Sequence, residues 1–186
     1  MVASSNISTF RSNFKGGSRP NRFEVSGKIP TSTPQDIDNS NTFLIKASTM
    51  PPSTIGIIPV PYRGRILKVP GDRLFIEWDI VIIDDPGNGA EGSDLRNKFV
   101  EWSHLINKHA ENTLNNQNYY ADWSIYQLES GADKALKNRK ITLHNCWPVE
   151  ISGIEFNHDI PNTLVQWNVR MAYDFWTTDA PSGPRP

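Results

Sequence analysis

The chain has 186 residues, a formal net charge of -1, 37% hydrophobic residues and 21% charged residues. That length suits one domain with a real core, and the near-zero charge gives no case for nucleic-acid binding by overall basicity while leaving little repulsion between copies. A single cysteine, Cys146, excludes an intramolecular disulfide framework; no apolar run is long enough for a membrane helix, and the polar N-terminus lacks a signal-peptide core, so a cytoplasm is the expected place of synthesis.

Residues 1–18 are rich in Ser, Asn and Gly and read as a flexible arm, with Phe10 and Phe14 as anchors should it order on a partner. Phe23, Val25, Gly27 and Ile29 alternate with polar residues and predict a short strand. Pro30–Asn41 is a loop, and Phe43, Ile45 and Ala47 then mark a strand that pairs with the first in a long-looped hairpin. Met50–Pro61 carries four prolines and is expected to be extended but outside a sheet. Its Ile55, Ile57, Ile58 and Val60 then need cover from the core or from another subunit.

Gly64–Val69 is a short strand leading into Gly71–Asp85, the central element. In it Leu74, Ile76, Trp78, Ile80 and Ile82 share one apolar face, whereas Phe75, Glu77, Asp79, Val81 and Ile83 share a wetter one. Pro86–Gly92 is a turn. Ser93 is the expected N-cap of a helix in which Leu95, Phe99, Trp102 and Ile106 form one stripe, ending near Asn107.

Tyr119–Gln127 predicts a strand with Ala121, Trp123 and Ile125 inward. Leu128–Arg139 is either a charged hairpin tip or a short helical excursion. Lys140–Trp147 is a strand that Pro148 interrupts. Thr163–Phe175 is a second long strand, with Val165, Trp167, Val169, Met171, Tyr173 and Phe175 on one face. Gln166, Asn168, Arg170 and Asp174 lie on the other. Residues 177–186 form a flexible tail. About seven or eight strands, one helix and no crossover helices point to a mainly β, antiparallel sandwich or barrel-like domain.

Chemistry is scarce. No glycine loop matches a nucleotide fingerprint. His104 and His109 are five apart, which puts them on different faces of a helix. His144 and Cys146, with His158 as a third ligand, form the best metal constellation and fall short of the tight clusters zinc sites show. Glu77 and Asp79 lie roughly 6.6 Å apart along a strand, a spacing open to glycosidase carboxylates but equally ordinary on a wetted sheet. Arg11, Lys15, Arg19 and Arg22 make only a modest basic run. The expectation is a non-enzymatic chain with no cofactor.

An ordered series of short motifs carries a resemblance: Arg19-Pro20-Asn21-x-Phe23-x-Val25, Lys46-Ala47-x-x-x-Pro51, Ile58-Pro59-Val60 and Gly71-Asp72-Arg73-x-Phe75-x-x-Trp78. It continues with Arg96-x-Lys98-Phe99-Val100-x-Trp102, Trp147-Pro148 with Gly153, and the closing Met171-Ala172-Tyr173-Asp174-Phe175-Trp176. Together they resemble the tail tube proteins of contractile-tailed bacteriophages, a family similar to the tubes of type VI secretion systems. The likeness spans residues 19–176, the tail tube domain. The 30–41 loop and both termini extend beyond the family pattern.

The resemblance implies a homohexameric ring stacked into a tube within a contractile sheath, each subunit giving four strands to a 24-stranded inner barrel. Strands about 4.8 Å apart and tilted about 40° then give a backbone diameter near roughly 48 Å and a lumen of roughly 35–40 Å, wide enough for duplex DNA. It implies a sheath, a tape-measure protein, a baseplate initiator and a tail terminator as partners. Glu77, Asp79, Gln166, Asn168, Arg170 and Asp174 are expected to border the lumen, and Trp78, Phe99, Trp102, Trp167 and Tyr173 the core. Pro51, Ile55, Ile57, Ile58 and Arg139 are expected at subunit contacts. Rival readings are a baseplate ring that only initiates the tube, an injection tube carrying protein, and a monomeric enzyme or binding domain.

Overall fold

The structure, a computed structural model, describes residues 7–14, 17–30, 35–36, 44–85, 94–114, 119–128, 137–159 and 161–178. The elements in chain order are α1 (Ile7–Asn13), β1 (Phe23–Ile29), β2 (Gln35–Asp36), β3 (Ile45–Ser48), β4 (Thr54–Tyr62) and β5 (Arg65–Leu74). They continue with β6 (Trp78–Ile83), α2 (Leu95–Ile106), β7 (Ala121–Leu128), β8 (Lys137–Ile151), β9 (Gln166–Ala172) and β10 (Phe175–Thr178). Eight strands form one continuous antiparallel system in the order β2-β1-β7-β8-β9-β6-β3, with β10 also on β8; β4 and β5 stand apart as a two-stranded hairpin. The chain is therefore mainly β, but it carries two helices rather than one, and the described strands close no barrel.

Alternation places the core. Along β6, Trp78, Ile80 and Ile82 are at most 1% exposed, and along β9 Trp167, Val169 and Met171 are at most 2% exposed. Trp123 of β7 and Phe99 and Trp102 of α2 are fully buried against them. The aromatic rings pack in contact: Trp78 meets Trp123 edge-on at 5.9 Å, Phe99 meets Trp167 edge-on at 5.8 Å, and Trp102 stacks on Trp123 at 6.4 Å. Such pairs add about 0.5–1.5 kcal/mol each beyond the area they bury. The cap of α2 is Asp94, whose carboxylate accepts from the Arg96 and Asn97 amides. It takes the role expected of Ser93, which lies outside the described residues.

Several expected elements are corrected. The long strand Gly71–Asp85 is two strands. Residues 65–74 belong to the outlying hairpin and 78–83 to the core, with Phe75, Glu77 and Ile76 between them outside any strand. Leu74 and Ile76, expected in the core, are 55% and 54% exposed. The Pro-rich segment is β4 and pairs with β5 from Thr54↔Leu74 to Tyr62↔Arg65, so it is in a sheet after all. The first two predicted strands form no hairpin with each other: β3 pairs β6 through Ile45↔Ile82, and β1 pairs β7 through Phe23↔Gln127. Pro148 does not interrupt β8, which runs on past it beside β9 with Pro148↔Met171 in register. The second long strand divides at Tyr173 and Asp174 into β9 and β10.

The division has a cause. Asn145 sits at φ 57°, a left-handed conformation that short polar side chains tolerate. It lies at the bend of β8, which pairs with β7 as far as Cys146 and with β10 as far as His144, and with β9 from Trp147 onward. The bend is held by side chains. The Asn145 amide donates to Asp122 at 3.1 Å, its carboxamide donates to Asp174 at 2.7 Å, and the Asp174 amide donates to the His144 carbonyl at 3.0 Å. β8 thus serves two sheets and joins them.

Candidate functional site

The second of those sheets, β3-β6-β9 with the C-terminal part of β8, has two unlike faces. Inward it offers Ile45, Ile80, Ile82, Trp78, Trp167, Val169 and Met171 to the core. Outward it offers Lys46, Asp79, Gln166, Asn168, Arg170 and Glu150, all exposed. Register aligns them: Asp79 lies opposite Arg170, Arg170 opposite Glu150, and Val81 opposite Asn168.

Arg170 is the centre of this face. Its guanidinium lies 3.2 Å from Asp79, 3.1 Å from Glu150 and 3.7 Å from Glu77. The hydrogen bond to Asp79, then the charge of Glu150, hold its pKa above the ordinary arginine value. Beside it Lys46 donates to the Gln166 carboxamide at 3.0 Å, and the Asn168 backbone amide donates to the Ser152 hydroxyl at 2.8 Å. One cation shared by three carboxylates leaves the patch net negative, and none of its groups is buried. This surface repels or ignores a polyanion and lacks the convergent donors that would hold one.

Of the six residues expected at the lumen, Glu77, Asp79, Gln166, Asn168 and Arg170 are gathered on this face. Asp174 is not: it belongs to the β8 bend, bonded to Asn145. Lys46, Glu150 and Ser152 were missed by sequence reasoning, since only strand register brings them beside Arg170. Phe75 is 36% exposed and meets Tyr173 edge-on at 6.0 Å. Trp78, Phe99, Trp102, Trp167 and Tyr173 are all buried.

The hairpin β4–β5 is a second surface. Ile55, Ile57, Ile58, Tyr62, Ile66, Leu67 and Leu74 are each 49–67% exposed. Together they make the hairpin an exposed apolar arm on an otherwise polar chain. Pro51, just before it, is buried, and Arg139 on β8 is exposed; residues 129–136 of the predicted hairpin tip lie outside the described residues.

The metal constellation dissolves. His144 is bonded to Asp122 at 3.1 Å and Thr177 at 2.9 Å, Cys146 is buried, and the left-handed Asn145 between them breaks the shared face. Burial pushes the Cys146 thiol up to about 12. No cluster of three or more His, Cys, Asp or Glu side chains suited to a metal occurs among the described residues.

The described residues thus show a mainly β chain with one polar, exposed sheet face and an apolar outlying hairpin. The chain belongs to the phage tail tube protein family, whose model matches residues 18–179. It is 25% identical over 158 residues to the tail tube protein gp19 of Enterobacteria phage T4, covering 85% of this chain and 90% of that one. It is 26% identical over 161 residues to the tail tube protein of Serratia phage KSP90, covering 85% and 86%.

Among solved structures it resembles a chain of the sheath/tube terminator of an extracellular contractile injection system, with TM-score 0.63 at 15% identity, covering 89% of this chain and 99% of that one. A chain of the anti-feeding prophage baseplate gives TM-score 0.62 at 13% identity, covering 89% and 97%. The protein is a non-enzymatic structural component of the virion tail.

Proposed function

We propose that this chain forms homohexameric rings that stack into the inner tube of a contractile tail, and that the tube conducts DNA into the host. The observation that carries the reading is the sheet β3-β6-β9-β8: four strands with a wholly apolar inner face and a polar, exposed outer face. Both its borders are open among the described residues. β3 pairs only with β6, and residues 147–151 of β8 pair only with β9. Open sheet edges invite pairing with another chain, and a closed ring of subunits removes them. Six copies supply the roughly 24 strands that give a bore wider than duplex DNA.

In this arrangement Glu77, Asp79, Gln166, Asn168 and Arg170 line the bore, and β4–β5 reaches a neighbouring subunit. The outer surface meets a sheath, the bore holds a tape-measure protein before DNA, and a baseplate initiator and a terminator bound the tube.

Electron microscopy of the purified chain tests assembly: hollow six-fold tubes are expected, and a chain that stays monomeric under native-like conditions refutes it. Replacing Gln166 and Asn168 by lysine tests the bore: tubes should still form while DNA delivery falls, and unchanged delivery removes the lumen assignment.

A further inference from the structure

The helix α2 ends at Ile106, and the chain turns back at once. Asn107, at φ -144°, caps the helix by donating its amide to the Ser103 carbonyl. The Asn107 carboxamide donates to the Asn112 side chain at 3.0 Å, the Asn112 amide donates to the Lys108 carbonyl at 2.9 Å, and Lys108 pairs with Glu111 at 3.0 Å. This knotted turn brings His109 back against His104, although five residues along a helix would have separated them. Their Nδ1 atoms lie 2.8 Å apart, and the ring centroids 4.4 Å apart with planes at 51°.

We propose that His104 and His109 form a two-histidine site for a divalent transition-metal ion of tetragonal preference, Cu(II) foremost and Ni(II) next. Two imidazole nitrogens each about 2.0 Å from one ion stand about 2.8 Å apart at a right angle and about 3.3 Å apart at the tetrahedral angle. The observed separation therefore fits adjacent positions of a square-planar or tetragonal ion better than zinc. The rings are tilted rather than head-on, since collinear rings at that contact would hold their centroids about 5 Å apart. Both side chains are exposed, so an ion reaches them from solvent and water completes its shell.

His109 also borders a recess of about 230 Å³ shared with Arg96, Ser103 and Glu150, which gives such waters room. Glu150 is held by Arg170 and Lys108 by Glu111, so neither is idle beside the pair. Bound metal clips the turn 107–112 to the end of α2, beside the Glu150 edge of the polar sheet.

Titrating the full-length chain with Cu(II) in a non-chelating buffer tests this. The expected result is one equivalent bound per chain, an electron paramagnetic resonance signal with two-nitrogen hyperfine structure, and slowed amide exchange across 107–112. His104→Gln and His109→Gln should each weaken binding at least tenfold while leaving the metal-free urea midpoint unchanged; His158→Gln should bind as the parent does. Binding that survives both substitutions, that depends on His158, or that is absent at tenfold excess of metal overturns the proposal. The last outcome means that the pair shares only a proton.

Discussion

Gly27 faces Trp123 across the β1–β7 pair, and the contact leaves no room for a side chain. A Cβ placed on Gly27 would sit 2.3, 2.6 and 2.7 Å from three ring atoms of Trp123, where ordinary contacts begin at 3.4 Å. The indole must then retreat by about 1 Å, or the strands must part. Retreat is blocked. Trp123 is fully buried, with Trp78 and Phe99 each at 5.9 Å and Trp102 stacked at 6.4 Å. Overpacking a dense core costs about 1–3 kcal/mol, and an aromatic ring pinned on several sides puts Gly27→Ala at the upper end of that range or above it.

Urea unfolding followed by tryptophan fluorescence measures the cost. Pairing the change with Trp123→Leu separates overpacking from lost strand propensity. The leucine alone leaves a cavity and destabilises, but the double variant should be distinctly more stable than the sum of the two singles. A stability for Gly27→Ala within about 0.5 kcal/mol of the parent would refute the reasoning. So would exact additivity with Trp123→Leu.

Trp78→Ala should cost about 3–5 kcal/mol in the same assay, because the indole is 1% exposed and its N–H also ties β6 to Ser48 and Thr49; a loss under about 1 kcal/mol would contradict its place in the core. Ile57→Asp with Leu67→Asp, both on the exposed hairpin, should leave the unfolding midpoint near the parent value and abolish tubes in sedimentation. Normal tubes from that variant would remove the arm from the interface.

Arg170→Met removes the guanidinium from three carboxylates. Repeated around a ring, those charges should make assembly depend on added salt, and a tube yield flat with ionic strength would refute this. Cys146, pushed up from 9.0 to about 12 by burial, should resist thiol reagents at pH 8 until the chain is unfolded. Its neutral form is favoured by folding, so this contribution to stability is complete below about pH 9 and falls away as pH rises toward 12. Rapid labelling of the folded chain at pH 8 would show an open thiol.

Periodicity exposed the core strands because their two faces differ so sharply. The alternation of Trp167, Val169, Met171 and Tyr173 with polar residues reappears in their burial, and the stripe Leu95, Phe99, Trp102 fixed the inner face of α2. The break at residues 75–77 was invisible for the same reason. Leu74 and Ile76 continue the period through it, and a period cannot report that the chain has left one sheet and entered another. β4 was misread because its prolines argue against a ladder and its isoleucines against a wet surface.

The pairing of β3 with β6 rests on contacts distant in sequence, to which no local pattern points. The polar face was half legible. Asp79, Gln166, Asn168 and Arg170 follow from alternation on two strands, whereas Lys46 and Glu150 join them only through register. Asp174 continues the same alternation, but it is bonded at the β8 bend to Asn145 rather than gathered around Arg170.

The prolines of the outlying hairpin carry a further meaning. Pro59 and Pro61 stand two residues apart, so both imide nitrogens point to the same side of β4, and the ladder to β5 persists at Lys68 and Ile66. The missing donors therefore belong to the outward border of the strand. With donors free along that border, an apolar ribbon would be a template for cross-β pairing. Stripped of those donors, the β4 border can be gripped through its side chains but is a poor template for a further strand.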